Sequence, residues 1–308
     1  MTDISADVVI LGTGPGGLQA AIHAARAKAS VVVMGRETKS SLYRAHVENY
    51  CCLGKISGER LLQDGVQQAK DAGAEILHED VVEILPVDPG FVVATESERR
   101  ITTHTLILAM GISRNRIGVP GEKDFLGKGV SYCVDCDANF FKGETVAVVG
   151  NESAAVAGAL TLLFYAREVH LVAKKLDVSD RLAFQVQESD VILHSGRSVT
   201  RITGQNMVEG LELDDGKELK VNGVFIETGA KGAVELAGSL GVALDPEQFK
   251  YIVTDKTQQT NVPGVYAAGD ICGPPWQMAK AVGEGCVAGL AAAKFAKKQR
   301  AARNDKKS

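Results

Sequence analysis

Two stretches of this chain repeat one order of elements, and that order limits the folds open to it. The first, from Ala6, reads ADVVILGTGPGGLQAAIHAARAKASVVVMG; the second, from Gly143, reads GETVAVVGNESAAVAGALTLLFYAREVHLVA. Each has a β-branched run, a glycine turn, an alanine-rich stretch suited to a helix, and a second β-branched run. That order is a βαβ unit with parallel strands. Two such units in 308 residues predict an α/β chain with two doubly wound domains.

The first turn is the more telling. Gly12, Thr13, Gly14, Pro15, Gly16 and Gly17 follow directly on the run Val8–Leu11 and complete the pattern G-x-G-x-x-G. The first glycine permits a tight turn, the second lets a pyrophosphate approach the backbone, and the third lets the helix pack on its strand. The helix N-terminus then offers unpaired N–H groups and partial positive charge to phosphates. A glycine loop without a ligand is the other reading, and the strand–turn–helix context argues against it. Glu37 stands about 20 residues beyond the last glycine, where an acidic residue holds ribose hydroxyls in such folds. It reads either as that residue or as a solvated surface carboxylate.

Composition narrows the function. Hydrophobic residues make up 45% and charged residues 23% of the chain, and the net charge is −4. A nucleic-acid binder needs a basic face, so none is expected to bind. No apolar run reaches the roughly eighteen residues of a membrane span. The first residues are polar and the apolar run after them is broken by glycines, unlike a signal peptide. A cytoplasmic location is the expectation. In a reducing compartment the six cysteines, at 51, 52, 133, 136, 272 and 286, do not read as a disulfide framework.

Cys133 and Cys136 have C-x-x-C spacing in the segment VSYCVDCDANFFKG, just before the second βαβ unit. Beside such a unit the spacing reads as a redox pair, because one local turn brings the sulfurs to bonding distance. Asp137 follows and could exchange a proton with the leaving thiol. Its negative charge would raise a thiol pKa, so it does not serve to stabilise a thiolate. A zinc site is the rival, but it needs four ligands, usually from two paired sets, and no second C-x-x-C exists. No metal is expected. Cys272 and Cys286 lie among small apolar residues and read as buried thiols. Cys51 and Cys52 read as core residues or as a second thiol relay.

Near the C-terminus the chain reads VPGVYAAGDICGPPWQMAKAVGEGCVAGL. A short strand over 265–268 ends at Gly269 and Asp270, and a helix begins near Gln277 and Met278. An aspartate at a strand end can accept hydrogen bonds from a polyol, and a helix N-terminus favours negative charge on a reduced flavin. Asp270 as a plain turn or capping residue is the other reading. Trp276 either stacks on a flavin or packs in the interior.

With these landmarks in order, the chain resembles the low-molecular-weight thioredoxin reductase family over about residues 7–295. The motifs are GTGPGG, VENY at 47–50, LILAMGISRNRIGVPGE, GVSYCVDCD, FFKGETVAVVG and VPGVYAAGD. The resemblance implies an FAD domain split between the chain ends, 1–113 and 241–308. A disulfide-bearing, NADPH-domain-like domain, 114–240, is inserted between them. It implies a homodimer and a dithiol or disulfide partner, protein or small molecule, with thioredoxin as the type. It carries over Cys133 and Cys136 as the redox pair and Asp137 as proton donor, with Gly12, Gly14, Gly17, Asn49 and Asp270 around FAD.

Several positions depart from the family. Its second turn has three glycines and then Asp-Ser-Ala; here Gly150-Asn151-Glu152-Ser153-Ala154 places a carboxylate where phosphates lie. Its His-Arg-Arg cluster for the NADPH 2′-phosphate is replaced by Ala173-Lys174-Lys175, and the arginine beyond it by Ser179. Lysines attract a phosphate without bidentate grip, and each lost charged contact costs about 1.5–3 kcal/mol. Weak or absent NADPH use is the expectation. Lys39-Ser40-Ser41-Leu42 replaces Gly-Gly-Gln-Leu near the FAD adenosine, and Val134-Asp135 replaces small neutral residues between the cysteines. Some relatives take electrons from ferredoxin or a flavoprotein, and diflavin-linked disulfide oxidoreductases hold a second FAD. An NADPH-dependent thioredoxin reductase with a drifted second site and a non-catalytic FAD-bound redox sensor are the rival readings. The basic tail KFAKKQRAARNDKKS reads as a solvated helix end, or else as peripheral attraction to an acidic membrane or partner.

Overall fold

The computed structural model of the chain describes residues 3–112, 116–228, 233–246 and 250–305. The side chains of Asp3, Asp135, Cys136, Ala233, Val234 and residues 303–305 lie outside that description, as does the junction expected at 113/114. Two compact units emerge, residues 1–112 with 236–308, and residues 113–235.

Among the described residues, the first unit is built on a parallel sheet in the order Val265–Ala267, Leu106–Leu108, Val8–Leu11, Val31–Met34, Ala74–Leu77. The strands Val8–Leu11 and Val31–Met34 are buried along their whole length. This is why they read as unbroken apolar runs rather than alternating ones. The helix Pro15–Arg26 carries the chain from Val8–Leu11 to Val31–Met34, and Gly58–Asp71 carries it on to Ala74–Leu77. The chain then returns to the other side of Val8–Leu11 with Leu106–Leu108, which makes the end of Val8–Leu11 the topological switch point. The strand 265–267 closes the sheet from the far end of the chain. A second sheet pairs Asp3–Ala6, Arg100–Thr103, Gly90–Thr95 and Val81–Val87.

The long helix Met278–Asp305 lies against Pro15–Arg26. A Cβ on Gly285 would stand 2.1 Å from the Gly16 carbonyl oxygen, and one on Gly289 would stand 2.3 Å from that of Ala20. The helices therefore meet backbone to backbone, and a buried cluster including Ala20, Ala24, Ala288 and Ala292 fills the seam. The basic tail continues this helix to Asp305, and Arg300 ties it to the buried Asp7 at 3.3 Å.

In the second unit the parallel order is Val130–Ser131, Gly223–Ile226, Thr145–Val149, Glu168–Ala173, Ile192–Ser195. The helix Ser153–Leu162 links Thr145–Val149 to Glu168–Ala173, as the repeat predicts. The switch point falls at the end of Thr145–Val149, beside Gly150. A small antiparallel sheet, Val199–Gly204, Val208–Leu213 and Glu218–Leu219, closes one face over the cluster of Val199, Ile202, Leu211 and Val224. No helix among the described residues is long and apolar enough to cross a membrane.

Candidate active site

The glycine turn of the first unit is built around close backbone approach. Gly12 has φ +115°, and a Cβ there would stand 2.3 Å from the Ala109 carbonyl oxygen. A Cβ on Gly17 would stand 1.9 Å from the Gly12 carbonyl oxygen. Gly14 occupies the N-cap of the helix and Pro15 its first turn. No side-chain hydrogen bond from the cap and no acidic residue covers that turn. The first N–H groups of the helix thus remain available to an anion, and Pro15, which has no N–H, falls where none is needed. Thr13 and Gly16 are buried within the turn. A pyrophosphate fits this cradle.

Glu37 begins a short 3-10 turn, Glu37–Lys39, past the second strand, and His78 stands 3.2 Å from its carboxylate. Its neighbours are turned inward. Arg36 pairs with the buried carboxylates of Asp80, at 2.7 Å, and Glu96, and Lys39 reaches Asp80 at 3.0 Å. The Lys39 that departs from the family pattern is therefore used inside the protein, against carboxylates of the same unit.

Asn49 and Gln277, 228 residues apart in sequence, meet through a hydrogen bond of 3.0 Å from the Asn49 amide to the Gln277 side-chain oxygen. Met278 opens the long helix. Gly269, at φ +89°, gives its N–H to Glu284 (2.8 Å), and Lys280 bonds the carbonyls of Gly269 (2.9 Å) and Gly273 (2.7 Å). Asp270 starts the 3-10 turn Asp270–Cys272 held by this clasp. Trp276 is 52% exposed, which overturns the packing reading. Cys51 and Cys52 are exposed as well, so they are not core residues. Cys272 is half-buried, and burial first, then the nearby Glu284, pushes its thiol up to about 12, so it stays protonated at neutral pH.

In the second unit Cys133 is disulfide-bonded and half-buried, just ahead of the short helix Val134–Asp137. The side chain of Cys136, expected as its partner, lies outside the described residues. The buried hydroxyl of Ser131 donates to the Asp137 carboxylate at 2.6 Å and accepts the Cys133 N–H at 3.1 Å. Glu227, buried at the end of Gly223–Ile226, accepts the Val134 N–H at 3.0 Å. Tyr132 donates to Glu122 at 2.8 Å, and its hydroxyl is pushed up to about 12 by burial and by that bond. Residues on both sides of Cys133 are thus fixed by buried acceptors.

The second turn differs from the first in charge. Its helix, Ser153–Leu162, has Glu152 at the N-cap where the first has glycine. Its side chain makes no capping hydrogen bond, but its charge stands near the end of the dipole that a phosphate would use. The Asp177 backbone N–H donates to the Asn151 carbonyl at 2.7 Å, and Ser179 caps the helix Asp180–Gln187 by accepting the Leu182 N–H. Lys174 and Lys175 stand exposed between them.

The pyridine nucleotide-disulphide oxidoreductase family matches residues 6–285. The chain belongs to that family. It is 32% identical to a thioredoxin reductase of Listeria innocua, over 94% of this chain and 93% of the relative. It is 34% identical to a bifunctional thioredoxin reductase/thioredoxin of Mycobacterium leprae, covering 94% of this chain but spanning only 65% of that longer protein. Among solved structures, an atypical thioredoxin reductase of Desulfovibrio vulgaris Hildenborough superposes with a TM-score of 0.81 at 33% identity, covering 95% of this chain and 98% of its own. Within the family the chain falls with the low-molecular-weight thioredoxin reductases and is a flavin-dependent disulfide oxidoreductase. The family binds FAD and a pyridine nucleotide, and the first turn fits the FAD pyrophosphate. Ser131 and Glu227 escaped the sequence reading; the only trace of the first is its place two residues before Cys133.

Proposed function

We propose that this oxidoreductase works through a Cys133–Cys136 disulfide, exchanging two electrons with an external thioredoxin-like dithiol or disulfide, and that NADPH is a poor donor. The observation that carries the reading is the disulfide-bonded Cys133, joined to Asp137 through Ser131. Bound FAD supplies a two-electron store. Gly12, Thr13, Gly14, Pro15, Gly16 and Gly17 would hold its pyrophosphate, with Glu37, Asn49, Gly269, Asp270, Gln277 and Met278 as its further contacts.

In the dithiol state one thiolate of the pair attacks an external disulfide and forms a mixed disulfide, releasing the first external thiol. The second then attacks the protein sulfur, closes the Cys133–Cys136 bond and releases the other external thiol. Asp137 hands a proton to the departing sulfur, and Ser131 holds that carboxyl in place. Asp135, between the cysteines, adds negative charge that selects among partners.

Glu152 is the reason for assigning NADPH a minor part: it puts negative charge at the helix end that the pyrophosphate needs. An NADPH-dependent enzyme with a drifted site is the second reading, and the exposed Lys174 and Lys175 favour it. A homodimer and a cytoplasmic location belong to the proposal, with a second FAD in place of the nucleotide as its variant, and the basic tail is a solvated helix end. Flavin assignment of the first unit and disulfide chemistry of the second belong to it too. Rapid mixing with NADPH decides between the donors. The flavin absorption persists at micromolar NADPH under this proposal, and fast bleaching establishes the rival. Flavin released from the purified chain gives the number bound.

A further inference from the structure

Residues 50–53 form a tight turn closed by the Leu53 N–H donating to the Tyr50 carbonyl at 3.2 Å. Cys51 and Cys52 are its two central residues. Cys52 has φ +67°, a left-handed conformation that the third position of a type II turn requires and that glycine or asparagine supplies without strain. A cysteine at that position strains the backbone, and the turn gains nothing from its side chain. Strain kept without a packing reason points to chemistry. The two sulfurs lie 3.4 Å apart, and both residues are exposed and carry free thiols. Around them Leu53 is exposed, and a Cβ on Gly54 would meet nothing within 4 Å, so partners have open access.

We propose that Cys51 and Cys52 are a second redox centre of this chain, a vicinal dithiol that reduces external disulfides and closes to a vicinal disulfide. It rests on the proposed function only for the class of partner, a small-molecule or protein disulfide. One thiolate attacks a sulfur of that disulfide, breaking its S–S bond, forming a mixed disulfide and releasing one thiol. The neighbouring thiolate attacks the bonded protein sulfur, forms the Cys51–Cys52 bond and releases the second thiol. The pair loses two electrons and the external disulfide gains them, while the two protons leave with the released thiols. Adjacent Cα atoms are held about 3.8 Å apart by the peptide bond, below the span of about 4.4–6.8 Å that disulfides usually bridge. The closed ring is therefore strained and more oxidising than an ordinary disulfide, so the pair closes only against an excess of external disulfide and reopens as thiols accumulate.

Trypsin isolates this pair in the peptide 45–55, and Cys133 with Cys136 in the separate peptide 129–142. The flavin-loaded protein is reduced, desalted, treated with oxidised glutathione, alkylated and digested. The proposal predicts a 45–55 peptide that has lost two hydrogens, resists alkylation and returns to the dithiol with dithiothreitol. A peptide that is alkylated twice, or that carries glutathione without closing the ring, overturns it. Cys52→Gly is expected to lose the oxidised form and to keep or raise the melting temperature; a lower melting temperature would give the pair a structural role instead. Flavin content and the 129–142 peptide, read in the same sample, report separately on the proposed function.

Discussion

Ser131 has one hydroxyl and uses it twice, donating to Asp137 and accepting from the Cys133 backbone. A buried hydrogen bond to a charged group contributes about 1.5–3 kcal/mol. Ser131→Ala is therefore expected to slow disulfide reduction roughly 10- to 100-fold, with flavin content unchanged, as single-turnover kinetics with a thioredoxin-like disulfide would show. Asp137→Asn removes the proton donor itself and is expected to cost about 10²–10⁴-fold. Single-turnover rates separate the two, because Ser131→Ala keeps the carboxyl and Asp137→Asn removes it. Cys133, Cys136 and Asp137 stand out as candidates in the sequence because the C-x-x-C spacing has a chemical meaning by itself. Ser131 and Glu227 do not. A serine or a glutamate takes on a role here only through the partner that the fold brings to it, and Glu227 is 93 residues from the N–H it accepts. Exposure was illegible for the same reason, so Trp276 and the adjacent cysteines could be placed inside or outside only once the fold was known.

The two glycine turns show one element built for opposite electrostatic ends. In the first, glycine at the cap leaves the helix N-terminus open; in the second, Glu152 stands at it. Gly17→Ala is expected to displace the Gly12 carbonyl, destabilise the first unit by about 1–3 kcal/mol and lower flavin retention on gel filtration. Glu152→Gly combined with Lys174→Arg and Lys175→Arg is expected to raise NADPH affinity by at least tenfold in equilibrium titrations; no change would remove charge at this turn as the cause of poor NADPH use. The neighbouring strands carry a second electrostatic feature. His170 and His194 face each other at 3.0 Å, with Glu168 on the far nitrogen of His170. Burial lowers both imidazoles below their usual 6.5; Lys217 adds to this in each, His170 adds to it for His194, and Glu168 for His170 and Asp215 for His194 partly oppose it. A folded-state pKa below the unfolded one contributes stability above the unfolded value, and that contribution disappears as the pH falls through the folded one. The melting temperature is expected to drop between about pH 7 and 5, and to drop less in His194→Gln.

Across the whole molecule, the repeat of one βαβ order makes the two-unit architecture readable in the sequence itself. Strand, turn and helix at 8–26 and again at 145–162 lie where the repeat predicts them. The closing strand Val265–Ala267 beside Leu106–Leu108 was legible only through the resemblance, since no local pattern says that the far end of a chain returns to its first sheet. The hydrogen bond between Asn49 and Gln277 spans that return and could be read from neither local segment. The central claim is that a flavin and the Cys133–Cys136 pair form one two-electron system. Its most direct test is anaerobic addition of reduced thioredoxin or dithiothreitol to the flavin-loaded chain, followed at the flavin absorption band in the unaltered protein and in Cys136→Ser. The account predicts bleaching in the first and none in the second at equal flavin content. A chain that takes up no flavin, or a Cys136→Ser variant that bleaches at the same rate, would contradict it.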